Sequence, residues 1–127
     1  MVQRIVDFLY TEFDHYSWVG IYRVDGDMLL LGPWRGEEAT EHVLIPVGKG
    51  VCGAAAQSGK TEIVDDVTKD ARYLACFLST RSEIVVPIKR NGVVVGEIDI
   101  DSDSPGAFTQ QDARLLEKVA EMLNQYL

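Results

Sequence analysis

The chain has 127 residues, 46% of them hydrophobic, a formal net charge of −8 and two cysteines. That length suits one domain over residues 1–127, large enough to bury roughly two-thirds of its unfolded surface without a disulfide or metal. The acidic balance excludes a nucleic-acid backbone or an anionic membrane as partner, since both require clustered cations, but permits a small cationic or zwitterionic ligand.

Val2 to Phe13 predicts a helix, with Ile5, Val6, Leu9 and Phe13 at three- and four-residue steps. Arg4, Asp7 and Glu12 interrupt it, so it is no secretory leader, and no run approaches the roughly 20 residues of a membrane span; the expected compartment is the cytoplasm. Tyr16 to Val24 is aromatic and β-branched and predicts a strand. Asp25-Gly26-Asp27 turns it into a second strand over Met28 to Leu31, which Gly32-Pro33-Trp34-Arg35-Gly36 should break. His42 to Val47 predicts a short strand, Val51 to Gln57 a short helix packed close to a sheet, and Glu62 to Asp66 another strand. Thr68 to Arg81 has little periodicity and predicts a long loop, a feature often functional in compact domains. Glu83 to Lys89 and Val93 to Asp101 form the clearest hairpin, closed by Asn91-Gly92. Thr109, with Asp112 three residues on, caps a final helix to Leu127 whose apolar stripe is Leu115, Leu116, Val119, Met122 and Leu123. The expected fold is α+β. A mostly antiparallel sheet of five or six strands carries the terminal helices on one face, and the inner helix and long loop cover a pocket on the other.

Several residues could carry chemistry. Cys52 follows Gly48-Lys49-Gly50-Val51 at a helix start, where backbone N–H groups and the lysine would favour a thiolate; it could equally be a small buried residue among Gly53, Ala54 and Ala55. Cys76 lies in the long loop, where a thiol can be exposed, although Phe77 and Leu78 could bury it. Two histidines, His15 and His42, and no Cys-x-x-Cys pair argue against a metal site. Glu97, Asp99 and Asp101 alternate along one strand and share a face, either open to water or covered by a cation such as an ammonium group. With a plain two-residue turn Ile84 pairs with Asp99 and Glu83 falls on the opposite face. Glu83 joins the acids only if the hairpin carries a bulge or a longer turn. Trp18 and Tyr22 also share a face, as core or as an aromatic wall for a ligand.

The segments Tyr16-Ser-Trp-Val-Gly-Ile-Tyr22, Leu31-Gly-Pro33, Gly48-Lys-Gly-Val-Cys-Gly53, Ala75-Cys76, Ser82-Glu-Ile-Val-Val-Pro-Ile88 and Gly96-Glu-Ile-Asp-Ile-Asp-Ser102 run through most of the chain. Together they resemble the free methionine-(R)-sulfoxide reductase family, a catalytic branch of the GAF domains. The resemblance implies thiol-dependent reduction of free L-methionine-(R)-sulfoxide, without a cofactor, through a cysteine sulfenic acid and a disulfide. It makes Cys76 the attacking cysteine and Cys52 the second redox cysteine. It assigns Glu83, Asp99 and Asp101 to the substrate's amino group and to proton transfer, and Trp18 and Tyr22 to its methyl end. It further implies thioredoxin or another thiol as reductant, and a homodimer. His42 stands where that family usually carries a third cysteine, so either Cys52 or an external thiol must resolve Cys76. The alternative is a non-catalytic GAF domain that senses a small molecule.

Overall fold

The computed structural model describes residues 1–40, 42–73 and 79–127. It contains helix α1 (Val2–Glu12), strands β1 (Trp18–Asp25), β2 (Met28–Gly36) and β3 (Leu44–Pro46), helix α2 (Gly50–Ser58), strands β4 (Glu62–Val64), β5 (Ser82–Arg90) and β6 (Val93–Ser102), and helix α3 (Gln110–Leu123). The six strands form one sheet in the order β3-β2-β1-β6-β5-β4, with every neighbouring pair antiparallel.

Alternation along the strands sends Val19, Ile21, Ile84, Val86, Ile98 and Ile100 to one face. There they pack with Val6 and Leu9 of α1 and Ala113, Leu116, Ala120 and Leu123 of α3. Each fully buried aliphatic side chain contributes about 1.5–3 kcal/mol. The stripe of α3 thus differs from the sequence expectation. Leu116 and Leu123 point inward, but Leu115 and Met122 are exposed. The helix sits close enough to the sheet that Ala113 and Ala120 complete its inner face, and size alone does not mark an alanine as core. Thr109 forms the expected capping box with Asp112: its hydroxyl accepts from Gln111 N at 3.2 Å, and Asp112 accepts from Thr109 N at 2.9 Å. Asp112 also accepts from the Tyr16 hydroxyl at 2.6 Å, which ties the start of α3 to the chain entering β1.

Two bulges separate the observed sheet from a simple reading of the chain. β2 does not break at Gly32-Pro33 but continues to Gly36. Tyr22 faces Leu31 while Gly20 faces Trp34, so one β1 residue opposes Gly32 and Pro33. Pro33, which has no N–H, falls in that bulge and past the last β3 pairing at Leu30, where no ladder bond is required of it. The second bulge settles the face of Glu83. Asn91 (φ 53°) and Gly92 (φ 79°) form the two-residue turn. The register then shifts between Ile88 and Lys89, and from there Ile84 pairs with Ile100 and Glu83 with Asp101. A slip of one residue exchanges the two faces of a strand, so the extra β6 residue keeps Ile84 in the helix-covered core and brings Glu83 to the acids.

Candidate functional site

The other face of the sheet carries α2. Trp18, Tyr22, Leu29, Ile45, Val51, Cys52, Ala55, Ala56, Val64, Val67 and Val85 form its apolar cluster. The segment Gly48-Lys-Gly-Val-Cys-Gly53 has a steric reason. Gly50 takes φ +68° at the helix start, and a Cβ on Gly53 would meet the Pro46 carbonyl oxygen at 2.7 Å and Gly48 N at 2.9 Å. Gly48 N donates to the Gly53 carbonyl at 2.8 Å, closing the loop onto the helix. This close approach seats Cys52, only 6% exposed, against the sheet.

Beneath it lies the acidic strand. Asp101 is flanked by Trp18 on β1 and Glu83 on β5, Asp99 by Gly20 and Val85, and Glu97 by Tyr22 and Pro87. Glu83, Glu97, Asp99 and Asp101 are all buried, none more than 4% exposed, so the face is not a solvated one. The ion pairs among the described residues lie elsewhere, on Asp7, Glu62, Asp66, Asp70 and Asp112. Burial raises the carboxyl pKa of Glu97 well above its ordinary value, and the neighbouring Asp99 adds to this. Burial likewise raises Asp99, with contacts to Glu83 and Cys52 and the proximity of His42 offsetting part of the rise. Asp101 is raised by burial and then by Asp99, with Glu83 offsetting part. Burial thus favours the protonated form of Glu97, Asp99 and Asp101.

Of the two readings of Cys52, these surroundings favour the buried one. The helix start and Lys49 suggested a stabilised thiolate. Instead burial pushes the thiol well up, and the negative charges of Asp99, Glu97 and Glu83 push it further. Its Sγ lies 3.9 Å from Glu83 Oε2. The ligand-capable atoms of Cys52, Glu83 and Asp99 all fall within 4.8 Å of one another.

Trp18 and Tyr22 share this face, as their spacing indicated. The Trp18 indole lies flat across the two strands because both positions under it are glycine. A Cβ on Gly20 would stand 2.2 Å from its Cη2, and one on Gly36 2.4 Å from its Cδ1. Trp34 stacks near it, ring centroids 6.2 Å apart and planes 15° from parallel. The Tyr22 hydroxyl donates to the His42 carbonyl at 2.7 Å. An open cavity of about 550 Å³ reaches the outer end of the site at Trp18 and Asp101, and Ser79, Thr80, Tyr10 and Arg35 are among its other walls. Cys52, Glu83 and Asp99 lie deeper, outside its lining.

Cys76 falls outside the described residues. The other site residues expected from sequence, Cys52, Glu83, Asp99, Asp101, Trp18 and Tyr22, do meet on one face. The sequence placed Glu97 with Asp99 and Asp101 on the candidate ammonium face, but the family resemblance assigned it no role. Gly20 was given no role, although a glycine inside an aromatic strand is a signal, and Gly36 was read only as part of a strand break.

The model of the GAF domain matches residues 1–127. The free methionine-R-sulfoxide reductase of Escherichia coli is 36% identical over 119 residues, which are 94% of this chain and 71% of that protein. The structure of the type II free methionine-R-sulfoxide reductase of Thermoplasma acidophilum superposes with a TM-score of 0.95 at 39% identity, covering 98% of this chain and 87% of the other. That of the Neisseria meningitidis enzyme in complex with its substrate does so with a TM-score of 0.90 at 38% identity, covering 97% and 73%. The bulged hairpin, the glycine-seated α2 and the acid-bearing β6 are thus built on a shared frame, and the chain belongs to the GAF domain family and, within it, to the free methionine-R-sulfoxide reductases.

Proposed function

We propose that this protein reduces free L-methionine-(R)-sulfoxide to methionine. The observation that carries the reading is the buried set Glu83, Asp99 and Asp101 beside Cys52, with Trp18 and Tyr22 on the same face. Three carboxyl groups out of water suit a substrate ammonium, which supplies the positive charge that burial otherwise replaces with protons. The aromatic pair suits the methyl end. Glu83, or one of the aspartates whose pKa burial raises, donates the proton to the sulfoxide oxygen.

In the proposed cycle the Cys76 thiolate attacks the sulfoxide sulfur. The oxygen, protonated by the acid, passes to the cysteine as a sulfenic acid, and methionine leaves reduced by two electrons. The Cys52 thiol then condenses with the Cys76 sulfenic acid, forming the S–S bond and releasing water. A dithiol reductant of the thioredoxin type returns both sulfurs to thiols by exchange. Cys52 enters as a buried neutral thiol, so its proton must pass to a neighbouring carboxylate or to the leaving hydroxide as the disulfide forms. The reading places this chemistry in the cytoplasm, in a homodimer for which exposed Phe8, Leu115 and Met122 provide apolar surface.

The test supplies racemic methionine sulfoxide and dithiothreitol. The expected outcome is consumption of the R epimer alone, abolished in Cys76→Ser. In Cys52→Ser, one methionine per chain forms in a single turnover and thioredoxin-dependent cycling is lost. No turnover, with saturable binding of another metabolite, would favour the non-catalytic sensor instead.

A further inference from the structure

Cys52, Glu83 and Asp99 form a compact donor set whose chemistry exceeds what an ammonium group requires. Their donor atoms lie within 4.8 Å of one another, and the sulfur stands 3.9 Å from Glu83 Oε2. A tetrahedral zinc ion, with Zn–S of about 2.3 Å and Zn–O of about 2.0 Å, places sulfur and oxygen ligands about 3.5 Å apart. The printed sulfur–oxygen pair must close by a few tenths of an ångström, and side-chain rotation of a carboxylate covers the wider separation.

A second observation also points to a cation. Asp99 Oδ1 has no hydrogen-bond partner among the described residues, and the fully buried Glu97 carboxyl has the Cys52 thiol beside it but no ion pair with a described residue. Buried oxygens left in this state are costly, and a positive ion offsets that cost for several of them at once. One sulfur with carboxylate oxygens is a borderline-soft set, which favours zinc over calcium or magnesium.

We propose that the reduced protein binds one zinc-class divalent cation through Cys52 Sγ and the carboxylates of Glu83 and Asp99. On loading, the S–H proton and any proton held by the two ligating carboxyls leave to solvent, and S–metal and O–metal bonds form with no change of oxidation state. Competition between this ion and methionine sulfoxide rests on the reductase reading above; the binding itself does not, because Cys76 is not among the ligands.

The experiment titrates the reduced, metal-free full chain with zinc chloride against a chromophoric chelator, and then with cobalt(II), whose thiolate charge-transfer absorption reports a sulfur ligand. One zinc per chain is expected. Affinity should fall at least about 100-fold in Cys52→Ser and in Asp99→Asn. It should be unchanged in the surface variant Asp70→Asn, and Cys76→Ser should still bind one zinc per chain. In Cys76→Ser the only sulfhydryl left is Cys52, so a cobalt–thiolate band there identifies the ligand even if the Cys52 variants fail to fold. Absence of that band, absence of stoichiometric zinc, or binding that persists without Cys52 overturns the proposal. Zinc binding in a chain that turns over no sulfoxide would sustain it while the catalytic reading fell.

Discussion

Gly20→Ala tests the seat of the Trp18 indole. The added Cβ would lie 2.2 Å from Cη2 and 2.5 Å from Cζ3 of that ring. Non-bonded carbons settle at about 3.5–4.0 Å, so the ring must retreat by about 1.3 Å or more. It cannot slide freely toward the other strand edge, because it already rests over Gly36, and Trp18 is only 3% exposed. Overpacking of this kind costs about 1–3 kcal/mol. Replacing glycine returns about 0.4–1 kcal/mol by restricting the unfolded chain. The net expectation is a loss of about 1–2 kcal/mol, read from urea unfolding at constant m, and a fall in melting temperature of several degrees. A ring displaced by over an ångström also spoils the wall proposed for the substrate's methyl end, so kcat/KM should fall about 100-fold. The near-ultraviolet circular dichroism of the Trp18–Trp34 pair should change in parallel. A variant as stable as the parent, with unchanged kcat/KM and unchanged tryptophan signal, would show that the indole does not depend on this seat.

The buried acids set a pH dependence of opposite sign to that of ion-paired carboxylates. Burial raises Glu97, Asp99 and Asp101 in the folded chain, so between about pH 4 and their raised values the folded state holds more protons than the unfolded one. Stability should therefore fall as pH rises through that window, by about 1.4 kcal/mol for each unit of rise in a group's pKa. Melting temperatures from pH 5 to 8 should decline, and Asp101→Asn should flatten the slope; a parent curve that climbs over that range would contradict the assignment. Gly53→Ala should cost more than Gly20→Ala, because its Cβ meets backbone at Pro46 and Gly48 rather than a side chain, and the neighbouring Cys52 should become more reactive toward a thiol reagent as α2 lifts. An unchanged alkylation rate would count against the role given to that close approach.

Local signals in the sequence determined the elements. Helical spacing gave α1, the Thr109–Asp112 pair gave the start of α3, Asn91-Gly92 gave the hairpin turn, and strict alternation put Glu97, Asp99 and Asp101 on one face. These depend on contacts a few residues apart, or on the two-residue period of a strand, and are written in the order of the chain. Tertiary structure decided the rest. Whether Glu83 faced the acids hung on one extra residue in β6, which is selected by packing Ile84 and Ile100 beneath the helices. Whether Cys52 was a thiolate hung on what lay across from its helix start. Lys49 is adjacent in the chain, but the negative charges of Asp99, Glu97 and Glu83 are adjacent in space, and burial strengthens their effect. The inward face of α3 and the continuation of β2 through Pro33 were decided in the same way, by how closely neighbouring layers approach and by where a bulge could absorb a missing donor. Such long-range distances depend on the assembled sheet, and no short stretch of residues specifies them.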